Sequence, residues 1–214
     1  MSDTDSFIEE VTEEVRRDRL FILLKRWGWI GGLAVVLLIG GAAFNEYRKA
    51  TAQRSAEAFG DALLDGIAAE DQGVSLSEIP TSNPEQQALA NLMAGADALA
   101  SGDTETGRSL LDGVANNSDA PDVYRDLAEF KAALAQSPEN PTEERLATFR
   151  EIADSNSPFR LLAREQVALV LIDAGRREEA MDLLREMLDE AGVTAGLQQR
   201  ATELIVALGG DLGG

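Results

Sequence analysis

The 214 residues include no cysteine and no histidine. Those two absences together remove disulfides, thiol nucleophiles, imidazole general bases and the usual transition-metal ligands. Only carboxylate chemistry remains for an enzyme, and a carboxylate-only hydrolase needs two acids held roughly 5–10 Å apart in a cleft. No spacing in the chain imposes that, so the expectation is a non-enzyme with no catalytic residue, metal site or cofactor. Basic residues are also in short supply, with 19 Lys and Arg against 38 Asp and Glu. The deficit is uneven: residues 1–54 carry eight of each sign, so the full net charge of −19 falls on residues 55–214. A domain so acidic is repelled by phosphate backbones and predicts no nucleic-acid partner. The charge serves plain solubility or a basic partner equally well.

Charge is missing altogether from one stretch, Trp27-Gly-Trp-Ile-Gly-Gly-Leu-Ala-Val-Val-Leu-Leu-Ile-Gly-Gly-Ala-Ala-Phe44. As a helix it measures about 27 Å, close to the roughly 30 Å hydrocarbon core of a bilayer. Its eight large apolar residues contribute roughly 2–5 kcal/mol to insertion. Starting the span earlier, at Leu20, would place Lys25 and Arg26 in the apolar layer at a cost of about 5–7 kcal/mol. The expectation is a transmembrane helix over 27–44, with Leu20–Leu24 at the interface and the lipid bilayer as a partner. A core helix of a soluble domain or a cleavable signal would also supply an apolar run. However, the run exceeds the usual 7–15 residues of a signal core, and seven carboxylates precede it. Five cations precede the span (Arg16, Arg17, Arg19, Lys25, Arg26) and three follow it closely (Arg48, Lys49, Arg54), which predicts an inward N-terminus.

Residues 1–26 read as a cytoplasmic amphipathic segment. Ser6 and Glu9 have capping-box spacing, acids come first and arginines last, and Phe7, Val11 and Val15 make a narrow stripe. Within the span, Gly28, Gly32 and Gly40 share one i,i+4 row. That row is either a packing face for a second helix or the ordinary glycine background of membrane helices.

Residues 45–82 read as a post-membrane helix and a loop. Asn45 to about Glu70 carries a core-facing stripe of Ala56, Phe59, Leu63 and Ile67; the loop runs from Asp71 to Ser82. Asn83-Pro-Glu-Gln86 then starts a new helix with an N-cap residue and a first-turn proline. From here the chain repeats. Gly95, Ala98, Gly102, Gly107, Leu111 and Val114 match Ala168, Leu171, Gly175, Ala180, Leu184 and Met187, each pair 73 residues apart. The shared pattern is a helix, a glycine turn and a second helix, with small residues where two antiparallel helices approach. A degraded unit lies between them (Val123–Gln136, then Thr142–Asp154), Ser157-Pro158 caps the next helix, Leu197–Leu208 closes the array, and 209–214 is a tail. The fold class expected is therefore all-α: one transmembrane helix followed by a helical repeat stack over 83–208.

The motif Gly95-x6-Gly102-x4-Gly107-x3-Leu111, with Ala168, Gly175, Ala180 and Leu184 as its second copy, resembles the tetratricopeptide repeat, without most of that repeat's aromatic positions. With the charged N-terminal segment, the single span, Asn45-Glu-Tyr-Arg48 and the acidic helical domain, the chain resembles the bacterial ancillary subunit family of the SecYEG translocon (YfgM-like) over about residues 6–208. That resemblance implies an α-solenoid in the periplasm and an anchor in the bacterial inner membrane with a cytoplasmic N-terminus. It also implies a non-enzymatic interaction scaffold whose partners are the export channel and a membrane-anchored periplasmic chaperone. An accessory subunit or assembly factor of another inner-membrane complex, such as a respiratory one, is the alternative. Exposed polar residues on the first helices, Asn91, Arg160 and Arg164, are candidate contacts, though a solvated helix face looks the same in sequence.

Overall fold

A computed structural model describes residues 3–69 and 72–211, with side chains from residue 29 onward except 72–74. The described residues form helices, turns and bends, with no strand among them. The chain separates into two compact units, Met1–Glu57 and Ala58–Gly214. The first helix, α1 (Asp3–Ala68), begins in one and ends in the other.

In the first unit, α1 starts three residues before Ser6, so Ser6 is not its N-cap. The Glu9 half of that box, the Phe7/Val11/Val15 stripe, Trp27 and Gly28 fall on side chains outside the described set. From Trp29 to Phe44 every side chain is exposed, including Val36, Leu37, Leu38 and Ile39. Among the described residues this is the one helix long and apolar enough to cross a membrane. A helix apolar on every side has no polar face to turn toward water, so its stable surroundings are other helices or lipid.

In the second unit, the end of α1 meets α2 (Gln72–Ser77) and α3 (Pro84–Ala100). Phe59 packs with Leu76, Ile79, Ala90 and Ala94. The expected stripe is rotated: Leu63 is half-buried, Ala56 and Ile67 are exposed, and Gly66 is buried instead. The cause is the short helix α2, which occupies part of the expected loop and sets Leu76 directly on Gly66. A Cβ at position 66 would lie 3.1 Å from Leu76 Cδ2. Asn83 caps α3 as its type predicts, its side chain accepting from Gln86 N–H at 2.9 Å.

Six further helices follow: α4 (Thr104–Ala115), α5 (Asp122–Leu134), α6 (Thr142–Ala153), α7 (Arg160–Asp173), α8 (Arg177–Leu188) and α9 (Ala195–Ala207). Each packs on its chain neighbours, α5 and α6 less closely than the other consecutive pairs. Ala88, Leu92, Leu111, Val114 and Ala128 form one core among α3, α4 and α5. Leu146, Phe149, Ile152, Val167 and Leu171 form another between α6 and α7, which Phe130 of α5 enters, stacking on Phe159 with ring centroids 5.8 Å apart. Ala168, Leu184, Met187, Leu197, Ala201 and Ile205 make the last, under α9. α7 begins two residues later than Ser157-Pro158 suggests. Ser157 is buried and its Oγ accepts from Phe159 N–H at 3.2 Å, so it caps the preceding turn rather than the helix.

Candidate functional site

The repeat-defining positions fall at two kinds of place. Gly102 and Gly175 close the α3–α4 and α7–α8 turns with φ of +89° and +76°. Both turns end their helix the same way, with Asp103 N–H donating to Ala98 O at 2.9 Å and Arg176 N–H to Leu171 O at 2.8 Å. This six-to-one bond needs a left-handed residue just past the helix, and glycine adopts that conformation without a Cβ clash. Gly95 and Gly107 lie where α3 and α4 cross, and Ala168 and Ala180 are fully buried on α7 and α8.

At Gly107 an added Cβ would sit 2.7 Å from Leu99 Cγ and 2.9 Å from the Gly95 carbonyl oxygen. At Gly95 its nearest neighbour would be Leu111 Cγ, at 3.1 Å. Backbone cannot yield as a leucine tip can, so Gly107→Ala should destabilise the fold by about 1–3 kcal/mol. Gly95→Ala should cost less, because its nearest backbone atom, the Gly107 carbonyl oxygen, lies at 3.2 Å rather than 2.9 Å and alanine's helix propensity offsets part of the tighter contact. Chemical denaturation of the two variants checks the ordering. In the first unit, Gly32 and Gly40 have no atom within 4 Å of a built Cβ, so their face is unoccupied there.

The three candidate contact residues are all engaged within the fold. Asn91 Oδ1 accepts from Gln87 Nε2 at 2.9 Å. Arg160 Nη1 lies 2.9 Å from Glu190 Oε1 and Arg164 Nη1 3.2 Å from Glu190 Oε2, so both arginines tie α7 to the segment after α8. The alignment at Oε2 is too poor for a hydrogen bond, and the contact there is ionic.

Sequence reading missed the charged pair that fixes the end of the array. Arg200 of α9 donates from Nε and Nη2 to both oxygens of Glu165 on α7, at 2.6 and 2.7 Å. Glu165 is only 5% exposed. Partners 35 residues apart leave no local signal. Arg200→Ala should cost about 2–3 kcal/mol, because it leaves a buried carboxylate without its counter-charge. The half-exposed arginine keeps the figure below that of a fully buried pair. A thermal melt checks this, and lysine should rescue only in part because it lacks the planar fork.

Among the described residues, two grooves between helices stand out. One, of about 420 Å³, lies among α6, α7 and α8, with Arg150, Arg164, Asp154, Glu179, Asp182 and Glu186 in its lining. The other, of about 400 Å³, lies among α4, α5 and α6 and is lined by Arg108, Asp112, Glu129, Gln136, Asn140 and Glu144 with neighbouring small residues. Arg176 helps set the first: it donates to both oxygens of Glu179 and to Glu143 Oε1 at 2.9 Å, and holds the Glu179 carboxyl below its usual range. Among the described residues no cluster of three or more acidic side chains is arranged to hold a metal ion.

No family model, curated protein or solved structure matches the chain.

Proposed function

We propose that this protein is a membrane-anchored, non-enzymatic interaction scaffold. The apolar part of α1 serves as the anchor, and the acidic helical unit is the working part. The observation that carries the reading is the pair of matched helix–glycine–helix units. The two turns, 73 residues apart, share one hydrogen-bonding pattern, with small residues at the same places on the flanking helices. That recurrence supports a divergent tetratricopeptide-like stack, an architecture that offers grooves to polypeptide partners rather than a reaction centre.

The family resemblance supplies the setting: the bacterial inner membrane, with the N-terminus in the cytoplasm and the helical unit in the periplasm. There the protein would stand beside a SecYEG-like export channel and work with a periplasmic chaperone. Solubilising membranes in mild detergent and identifying what co-purifies stoichiometrically tests this. Export-channel subunits with a chaperone are the expected result. Respiratory or other inner-membrane subunits in their place would overturn the assignment to export and leave an accessory subunit of that complex.

A further inference from the structure

We propose that the helical unit consists of two copies of one four-helix module, α2–α5 and α6–α9, that turn relative to each other about the α5–α6 connection, with the Phe130–Phe159 ring stack as the latch of the joint. The device belongs to the helical unit itself and does not depend on what that unit binds.

The 73-residue spacing runs beyond the glycine turns. Leu76 of α2 corresponds to Phe149 of α6, and Ala90 of α3 to Ala163 of α7. Leu111 of α4 corresponds to Leu184 of α8, and Ala128 of α5 to Ala201 of α9. All eight are buried. Burial that recurs at one period through four successive helices marks a repeated structural unit with a core of its own.

The two modules meet at a sparse joint. α5 and α6 touch less closely than any other consecutive pair from α3 to α9. Among the described residues one core draws on both modules, and α5 gives it two buried residues, Phe130 and Ala133. Phe130 stacks there on Phe159, just before α7. Among the described residues no ion pair or hydrogen bond runs from α3–α5 to α6–α9, whereas Arg145–Asp173, Arg176–Glu143 and Arg200–Glu165 tie the second module together. Partial burial, then the charges of Glu151 on α6 and of Asp126, push the Glu129 carboxyl up, so the charge facing across the joint is repulsive.

The connection interrupts the helix rather than extending it. Pro138 and Pro141 lack an N–H and disfavour helical backbone before them, so a continuous helix cannot cross the joint. The hydrogen bonds of the connection are local, such as Asn140 N–H to Ser137 O at 3.1 Å and Glu139 N–H to Ser137 Oγ at 3.2 Å. Joined modules move relative to each other unless a large apolar interface locks them, and one ring stack with an alanine is not such an interface. The groove among α4, α5 and α6 straddles the joint, with Asp112 and Ala132 on one side and Glu144 and Thr148 on the other. Turning the modules therefore changes the width of that groove.

The test is pulsed electron paramagnetic resonance on the full chain in nanodiscs, diluted with unlabelled chain so that only pairs within one molecule are read. The chain has no cysteine, so spin labels attach only where cysteine is introduced. Glu105→Cys with Glu178→Cys places labels at equivalent exposed positions of the two modules. Glu85→Cys with Glu105→Cys, and Glu178→Cys with Gln198→Cys, place both labels within one module. The distance distribution between modules should be about twice as wide as either distribution within a module. Phe130→Ala should widen the inter-module distribution by about half again and leave the other two unchanged.

Equal widths for all three pairs would overturn the hinge. An inter-module distribution that Phe130→Ala leaves unchanged would overturn the stack as its latch. Equal widening of all three by Phe130→Ala would mean that the modules do not hold together on their own, and would overturn the division itself.

Discussion

Replacing Leu37 and Leu38 together with arginine should release the full chain from membranes. Both lie near the middle of the uncharged run and are exposed along the helix. Each replacement loses an insertion gain of about 0.3–0.6 kcal/mol and adds a cost of about 2.5–3.5 kcal/mol at the helix centre. The pair therefore changes insertion by roughly 6–8 kcal/mol, more than the roughly 2–5 kcal/mol that the run's large apolar residues contribute together. Snorkelling trims the cost near the ends of a span and least at its centre. Carbonate washing of membranes, followed by immunoblotting of pellet and supernatant, reads the outcome. The parent should stay in the pellet and the double variant should move to the supernatant. Retention of both would mean that something other than this segment holds the protein down.

Phe149→Ala should be among the most damaging single changes in the helical unit. Phe149 is 4% exposed and belongs to the core between α6 and α7 that Phe130 also enters. Removing a buried phenylalanine ring costs about 3–5 kcal/mol, through lost transfer energy and the cavity left behind. Domains of this size are stable by about 5–15 kcal/mol in all, so the loss consumes much of the margin. The position adds a second consequence. α5 and α6 touch less closely than the other consecutive helices from α3 to α9, and Phe130 of α5 enters the same core as Phe149. Loosening that core should expose the α5–α6 connection, Ala135–Pro141, to protease before the rest of the unit. Limited proteolysis with mass mapping reads the site of first cleavage, and urea denaturation gives the energy.

What the sequence could disclose depended on how local the physics was. The cap at Asn83, the turns at Gly102 and Gly175 and the crossing at Gly107 each follow from one residue's own stereochemistry, and each is written into a short pattern. The all-helical class follows equally from apolar spacing. Features that join distant parts of the chain were not legible. Glu165 and Arg200 look like two ordinary charges among many, and only the packing of α9 on α7 shows them as a pair. Nothing in the sequence around Gly66 signals that Leu76 rests on it.

The short helix α2 was hidden because its glycine and serines suggest a loop. Leu76 and Ile79, buried against Phe59, outweigh that preference. Arg160 and Arg164 looked like free surface cations for the opposite reason, since their shared partner, Glu190, sits a whole helix away. The groove among α4, α5 and α6 takes its lining from three helices, so no window of sequence contains it.

The proposed anchor and the proposed periplasmic placement of the acidic unit are tested together in one assay. Protease added to intact spheroplasts should digest the chain beyond about residue 45 and leave a small membrane-bound fragment that begins at the original N-terminus. A mature protein that already starts near Phe44, or a helical unit protected until the membrane is opened, would contradict the account.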